Sequence, residues 1–207
     1  PQRRDGAEDH GPGRHAAELE RLGGRVVGFD LSWAMLRRAR ERTHGQGSLV
    51  RGDMRALPFR GGSFALAVNL FTSFGYFLND DEHRRVLQQV AGALTPRGHF
   101  VLDYLNADQV RRTVQLSEQA ERRSSNGERR RDVRVTRRIG ADGRFVIKEI
   151  ELRDEGRRFE ERVRLYSPDE LAALLRDVGL QVVAQFGNYD GTPPGAHAPR
   201  VILVAAR

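Results

Sequence analysis

The chain has 207 residues and a mass of 23.4 kDa, with 39% apolar and 30% charged residues, which is typical of one soluble domain with a small insertion. No apolar run approaches the roughly 20 residues that span a bilayer, and no secretory signal is visible. The absence of cysteine excludes disulfides and thiolate metal sites. We therefore expect a cytoplasmic protein with no membrane partner.

The chain is strongly basic, with a formal net charge of +7 and a pI near 10.7. Nearly all of the positive charge is arginine, because Lys148 is the sole lysine. The densest cluster, ERRSSNGERRRDVRVTRR (121–138), also contains acids and polar turn residues, so a solvated face explains it as well as phosphate binding does. We expect no nucleic-acid partner; a nucleic-acid binder that uses this cluster is one alternative.

Helical and strand patterns alternate over residues 15–106, which predicts a mostly parallel sheet flanked by helices, the Rossmann-like α/β architecture. In the predicted helix WAMLRRARERT (33–43), Met35, Leu36 and Ala39 form the expected buried stripe. The run FALAVNLF (64–71) is suited to a central parallel strand. The other predicted elements are the helices at 15–23 and 80–95 and the strands at 25–30, 48–53 and 99–104.

The pattern changes in the second half of the chain. Three extended segments with partial period-two alternation, at 131–140, 144–154 and 157–167, predict an antiparallel three-stranded insertion after a helical or loose connector. A helix then begins with Ser167 as N-cap, Pro168 at its first position and Glu170 completing a capping box. Strands at 180–187 and 200–207 end the chain. We predict a core of residues 1–106 and 167–207 and an insertion, 107–166, that covers the substrate.

Acids end two neighbouring strands of the predicted sheet. Asp30 follows the second strand, where a carboxylate can accept both hydrogen bonds from a ribose diol. Asp53 ends the third strand and could accept from an adenine amino group, with Leu31 and Met54 flanking the ring. Ordinary core packing is the alternative for Met54, and a loop or helix-cap role is the alternative for Asp30.

Polar and aromatic residues close the fourth strand in NLFTSFGYF (69–77), where Asn69, Ser73 and Tyr76 could line a pocket. His15 could act as a base, although a histidine at the start of a helix is more often a local hydrogen-bonding group. The histidines have no spacing that indicates a metal site, and we expect none.

Four segments in the correct order carry a family resemblance: GPGRHAAELERLGGRVVGFDLSWAML, RGDMRALPF, VNLFTSFGYFLNDDEHRRVL and LTPRGHFVLDYLN. They resemble the class I S-adenosylmethionine-dependent methyltransferases, and most of all the small-molecule branch that includes bacterial sugar N-methyltransferases. The resemblance covers residues 7–106, and the C-terminal segments also fit it. It implies a sheet of order 3-2-1-4-5-7-6 with an antiparallel last strand and a β insertion over the active site.

The resemblance implies a cofactor site for S-adenosylmethionine. Gly11 and Gly13 would let the loop approach the methionyl part, with Arg14 near its carboxylate. Asp30 would bind the ribose and Leu31 would pack on the adenine. The remaining cofactor-binding residues are Asp53 and Met54 at the adenine, and Asn69 and Leu70 at the sulfonium.

The resemblance also implies that Tyr76, the insertion and Tyr189 shape a pocket for a small-molecule methyl acceptor. We expect Tyr76 and His15 to be catalytic residues that position the acceptor rather than remove its proton. The acceptor atom is nitrogen or oxygen, and the lack of a dedicated base favours nitrogen slightly, because an amine needs only to lose a proton. The chain could also form a homodimer.

The N-terminal segment departs from the family pattern D-x-G-x-G-x-G, because Ala7 stands at the acid and Asp9 at the first glycine. The preceding PQRRDG cannot be a buried central strand, so we expect the first strand to be missing or degraded. A truncated or degenerate non-catalytic homologue with a binding or scaffold role is therefore the main alternative to an active methyltransferase. An NAD-dependent oxidoreductase, which Asp30 would also suit, is a less favoured one.

Overall fold

The computed structural model of the chain describes residues 14–42, 47–116, 120–124 and 131–207. The chain divides into two compact units, Pro1–Pro58 and Phe59–Arg207. No helix within the described ranges is both long and apolar enough to cross a membrane. The predicted missing first strand concerns residues outside these ranges, so it stays a prediction.

The first unit alternates helices and strands as α1 (Arg14–Arg21), β1 (Val27–Asp30), α2 (Trp33–Arg42) and β2 (Ser48–Arg51). β1 and β2 pair in parallel, from Val27 opposite Ser48 to Asp30 opposite Arg51. The predicted buried stripe of α2 is partly wrong, because Leu36 and Ala39 are buried while Met35 is 41% exposed. Adjacent residues lie about 100° apart around a helix, so Met35 lies beside the stripe rather than on it.

The second unit begins with β3 (Phe64–Asn69), α3 (Asp80–Ala93), β4 (Leu94–Leu105) and α4 (Ala107–Leu116). It continues with β5 (Ala120–Ser124), β6 (Arg131–Ile139), β7 (Phe145–Leu152), β8 (Arg157–Arg164), α5 (Pro168–Asp177), β9 (Gln181–Phe186) and β10 (Arg200–Ala206). One sheet has the order β3-β4-β10-β9. β3 is parallel to β4, and β10 is antiparallel to both of its neighbours, as the resemblance implied for the last strand.

The prediction of a central position for the strand at 64–71 is wrong for the described residues. β3 lies at the edge of its sheet and pairs with β4 on one side. Leu66 and Val68, which share one face of this sheet, are 45% and 40% exposed. The apolar run predicted the strand and its parallel pairing correctly, because those depend on local pattern, whereas position in the sheet depends on distant segments.

The insertion is a four-stranded antiparallel sheet of order β5-β6-β7-β8, rather than the predicted three strands. The three predicted strands are β6, β7 and β8. The additional strand, β5, lies in the predicted connector and pairs with β6 from Ala120 opposite Val135 to Ser124 opposite Arg131. Its sequence AERRS has no apolar alternation, so its backbone pairing could not be read from the pattern.

The start of α5 follows the predicted capping box in detail. The Ser167 hydroxyl accepts from the backbone N–H of Glu170 (3.1 Å), and the Glu170 carboxylate accepts from the backbone N–H of Ser167 (2.7 Å). Pro168 is the first helical residue. Because these contacts join residues only three apart, the sequence alone predicts them.

Candidate functional site

In the first unit, Asp30 ends β1 with an exposed carboxylate. Its Oδ1 accepts the backbone N–H of Ser32 at 2.6 Å, and its Oδ2 accepts no hydrogen bond from the described residues. Two apolar side chains beside it are unusually exposed, Leu31 at 63% and Trp33 at 58%. A free carboxylate oxygen next to exposed apolar surface can bind a polar group and a flat ring together. Trp33, the first residue of α2, was not among the predicted site residues.

Asp53 lies two residues beyond β2 and is already paired. Its carboxylate accepts from Arg55 Nε at 3.0 Å, Arg55 Nη2 at 2.5 Å and the Arg55 backbone N–H at 2.9 Å. These hydrogen bonds lower the pKa of Asp53 to about 2. Asp53 is therefore a permanently ionised acceptor at neutral pH, and Met54 beside it is half-buried.

The glycine-loop predictions fall mainly outside the described residues. Gly11 and Gly13 lie outside them, and Arg14 begins α1 with a side chain that is not described. His15 is half-buried in the first turn of α1. The roles of these four residues stay predictions.

In the second unit, Asn69 is the last residue of β3. Its side-chain Oδ1 is buried and has no hydrogen-bond partner among the described residues. A buried amide oxygen without a partner costs about 1–3 kcal/mol and is uncommon in native proteins. Such an atom indicates a site for a ligand donor or a positively charged ligand group. Leu70, next to it, is half-buried.

The turn after Asn69 is strained. Phe71 and Thr72 have φ angles of 55° and 60°, in the left-handed region that favours glycine, and a β-branched residue such as Thr72 is an outlier there. Two contacts with Asp103 on β4 hold the turn: Phe71 N–H donates to Oδ2 at 2.8 Å, and Thr72 N–H donates to the backbone carbonyl at 3.1 Å. Strain of this kind persists where the surroundings impose it, often at ligand sites.

Asp103 is fully buried and joins four segments of the second unit. Besides Phe71, its carboxylate accepts from Arg200 Nε at 2.6 Å and from the Tyr189 hydroxyl at 2.6 Å. The Arg200 guanidinium also donates to the Thr72 hydroxyl at 3.3 Å. Sequence reasoning missed both Asp103 and Arg200. The available signal was the acid near the end of the strand HFVLDY, which resembles the position of Asp30 on β1.

A cavity of about 350 Å³ lies in the second unit, and its wall includes Thr72 of the strained turn and Tyr76. Apolar side chains from four elements, β4, α4, β7 and β8, form much of the remaining wall: Leu105, Val110, Val114, Val146 and Val163. The other lining residues are polar: Thr113, Arg137, Lys148 and Glu161. Lys148 Nζ and Glu161 Oε2 form an ion pair at 2.9 Å. The cavity thus lies between the β3–α3 loop, α4 and the insertion sheet, with a volume suited to a small molecule.

Of the two tyrosines predicted to line the acceptor pocket, Tyr76 lines the cavity and Tyr189 does not. Tyr76 is half-exposed and lines the cavity, where burial and then the charge of Glu161 raise its pKa. It is therefore a neutral hydroxyl at neutral pH, able to donate or accept a hydrogen bond. Tyr189 is not among the cavity-lining residues; its hydroxyl donates to Asp103, and its ring lies 6.3 Å from that of Phe71.

A network of buried polar side chains contacts the β3–α3 loop at Phe77. Phe77 N–H donates to His83 Nε2 at 3.2 Å, so the neutral ring carries its proton on Nδ1, which donates to the Tyr166 hydroxyl at 2.9 Å. That hydroxyl donates to Asp80 at 2.6 Å. Burial lowers the pKa of His83. Among the described residues, no cluster of acids and histidines could hold a metal ion.

Residues 10–98 of the chain match the methyltransferase domain family. Over these residues the chain is similar to a methyltransferase domain. Among proteins with curated descriptions, none matches the sequence significantly.

Solved structures extend the likeness of the methyltransferase domain to nearly the whole chain. The CcbJ methyltransferase from Streptomyces caelestis is 22% identical, with a TM-score of 0.75, over 94% of this chain and 79% of that one. A S-adenosylmethionine-dependent methyltransferase from Clostridium acetobutylicum ATCC 824 is 20% identical, with a TM-score of 0.71, over 88% and 75%. The sugar N-methyltransferase KedS8 from Streptoalloteichus sp ATCC 53650 is 22% identical, with a TM-score of 0.69, over 95% and 76%. The predicted class I methyltransferase fold is confirmed.

Proposed function

We propose that the chain transfers the methyl group of S-adenosylmethionine to a nitrogen or oxygen atom of a small molecule. The observation that carries the proposal is the β3–α3 loop. Within eight residues it joins a buried acceptor without a partner, Asn69 Oδ1, to Tyr76 on the wall of a cavity of about 350 Å³. The match of residues 10–98 to a methyltransferase domain supports it.

The described residues fit the cofactor in each unit taken by itself. In the first unit we assign the ribose diol to Asp30, whose Oδ2 is free to accept, and the adenine ring to Leu31. We keep Asp53 and Met54 at the adenine edge, where Asp53 stays ionised through its contacts with Arg55. An ionised carboxylate can accept from an exocyclic amino group while it remains paired.

In the second unit we assign Asn69 and Leu70 to the reacting part of the cofactor. The unpaired Oδ1 of Asn69 carries partial negative charge, which is favourable beside a positively charged group. Leu70 supplies apolar wall next to it. The strained residues Phe71 and Thr72 fix where the loop turns away from this point.

When bound, S-adenosylmethionine supplies an electrophilic methyl group on a sulfonium. The residues of the chain contribute mainly position, since holding two reactants in line is itself a large rate factor. Tyr76 can hydrogen-bond the acceptor, but its raised pKa makes it a poor base. Glu161, the carboxylate among the cavity-lining residues, already accepts from Lys148.

A site that positions the reactants without a dedicated base suits a nitrogen acceptor, because an amine loses its proton more easily than a hydroxyl does. The likeness to KedS8, described as a sugar N-methyltransferase, supports the same choice. We therefore place an amine-bearing small molecule first among acceptors. A homodimer and a cytoplasmic location stay predictions; light scattering of the purified chain tests the first.

Isothermal titration calorimetry with S-adenosylhomocysteine tests the proposal on the full chain. We expect one site, with affinity lowered about tenfold or more by Asp30→Ala, because hydrogen bonds to charged groups contribute about 1.5–3 kcal/mol. Asn69→Leu should weaken binding of S-adenosylmethionine, whose sulfur is positively charged, more than binding of S-adenosylhomocysteine, whose sulfur is neutral. Asn69→Leu should not lower the free energy of unfolding, since it removes a buried oxygen that has no partner.

Glu149→Gln is the matched control, because it removes an exposed carboxylate that pairs with Arg138 on the insertion. Its affinity should equal that of the wild type. A wild-type chain that binds NADH but not S-adenosylhomocysteine would reverse the proposal in favour of an oxidoreductase. A chain that binds neither would leave the non-catalytic homologue as the better description.

A further inference from the structure

Three charged side chains cross the insertion sheet in a single row. Arg137 on β6 lies directly opposite Lys148 on β7, which lies directly opposite Glu161 on β8. All three line the cavity that Tyr76 also lines. We call Arg137, Lys148 and Glu161 the charged row.

The charged row interrupts an apolar face. Side chains two residues apart on a strand share a face of the sheet, so the neighbouring rows are identified by pairing. They consist of apolar residues on both sides: Ile139, Val146 and Val163 in one, and Val135, Ile150 and Phe159 in the other. Arg137 is exposed, and the side chains of Lys148 and Glu161 are 33% and 41% exposed, so water reaches all three charges. Their position on the cavity wall, rather than their burial, makes the row relevant to a ligand.

Internal pairing accounts for only part of the row. Lys148 Nζ lies 2.9 Å from Glu161 Oε2, and those two charges compensate each other. The Arg137 side chain forms no ion pair or hydrogen bond with any residue that the structure describes, and its cross-strand neighbour is the like-charged Lys148. Like charges directly opposite each other destabilise a sheet. The remaining cavity-lining residues are uncharged, so the cavity carries one uncompensated positive charge.

From this geometry we propose that the methyl acceptor carries an anionic oxygen group, a carboxylate or a phosphate, which Arg137 binds. A guanidinium presents a planar pair of donors that matches such a group in bidentate fashion. The anion binds at the sheet, and the rest of the acceptor extends along the apolar wall toward Tyr76 and Thr72. This inference rests on the proposed function, since it assigns the cavity to the acceptor.

Binding measurements on a matched set of probes test it. Glucosamine, glucosamine 6-phosphate and muramic acid share an amino-sugar frame and differ in having no added anion, a phosphate or a carboxylate. Each is titrated calorimetrically into the full chain saturated with S-adenosylhomocysteine. We expect at least one anionic probe to bind about 10–100-fold more tightly than glucosamine, and that preference to weaken with added salt.

Two variants of adjacent arginines distinguish a specific contact between Arg137 and the anion from a nonspecific effect of positive charge on anion binding. Arg137→Gln should abolish the preference for the anionic probes while leaving glucosamine affinity unchanged. Arg138→Gln makes the same charge change one residue away on the opposite face, where Arg138 pairs with Glu149 at 3.1 Å, and should keep the preference. Thermal unfolding verifies that both variants fold. Equal affinity of the wild type for all three probes, or binding of none, overturns the inference, as does an equal loss in both variants.

The outcome also separates this inference from the proposed function. If S-adenosylhomocysteine binds but no anion preference exists, the methyltransferase proposal stands and the assignment to Arg137 fails. If S-adenosylhomocysteine does not bind, the titrations are run on the chain without it. An Arg137-dependent preference for an anionic probe in that case supports the anion site while the methyltransferase proposal fails, and its absence overturns both.

Discussion

Replacing Asp103 with alanine should destabilise the second unit far more than loss of an ordinary surface acid. The carboxylate is fully buried and accepts hydrogen bonds from Phe71 N–H, the Tyr189 hydroxyl and Arg200. Asp103→Ala leaves these donors unpaired and removes the anchor of a turn in which Phe71 and Thr72 have positive φ. The loss is therefore mainly the cost of the unpaired charge and hydrogen-bond donors, and relaxation of the strained turn offsets part of it.

The expected magnitude follows from the burial of the ion pair. Removing one partner of a buried pair costs about 3–5 kcal/mol, because it leaves the other charge uncompensated. The Arg200 side chain keeps 21% exposure, so water can reach part of its charge and the lower half of that range applies. Asp103→Asn retains an oxygen acceptor but loses the charge, so its cost should be smaller, about 1.5–3 kcal/mol. Asp103→Ala combined with Arg200→Met should cost less than the sum of the single changes.

Urea unfolding followed by far-ultraviolet circular dichroism measures these free energies. Fluorescence is unsuitable, because the single tryptophan, Trp33, belongs to the first unit. Glu149→Ala is the control: it breaks an exposed pair with Arg138 whose side chains are 51% and 52% exposed, and it should cost less than about 1 kcal/mol. A loss below about 1 kcal/mol for Asp103→Ala, or one equal to that of the control, would refute the reasoning.

Two further predictions concern the loop between β3 and α3. Burial lowers the pKa of His83, so the unfolded chain takes up a proton below about pH 6.5 that the folded chain excludes. The free energy of unfolding should therefore fall as the pH drops from 7 to 5. This pH dependence should disappear in the variant His83→Gln. An equal slope in the variant, measured by urea unfolding at each pH, would contradict this. Gly75 has a φ of 100°, and a Cβ added there would meet the Tyr104 hydroxyl. A Cβ added at Gly156 would meet nothing within 4 Å. Gly75→Ala should therefore lower the midpoint of thermal unfolding more than Gly156→Ala does. Equal midpoints in the two alanine variants would rule out the steric reason.

Features that depend on neighbours along the chain could be predicted from the sequence. The capping box of α5 is one example, since Ser167 and Glu170 are three residues apart. The alternation in β6, β7 and β8 is another. The strand β5 could not be predicted, because its polar residues AERRS pair through the backbone and carry no apolar pattern.

The candidate site shows the same limit at longer range. Asp30, Asn69 and Tyr76 were predicted because they follow strands in a recognisable order. The role of Asp103 was not, because its side-chain partners lie 32, 86 and 97 residues away along the chain. A single acid near a strand end does not reveal which distant donors it will meet.

The charged row shows why register adds chemical information that composition lacks. Arg137, Lys148 and Glu161 are three charges among many in a chain with 30% charged residues, and nothing in the sequence distinguishes Arg137 from Arg138. Pairing places Arg137 opposite Lys148, on the cavity side of the sheet, and Arg138 beside Glu149 on the other side. A one-residue shift of β6 against β7 would exchange these two arginines, because side chains alternate between the faces. The specificity proposed for Arg137 therefore depends on the same strand register that buries Val146 and Val163, so a change that shifts the register should alter acceptor binding and stability together.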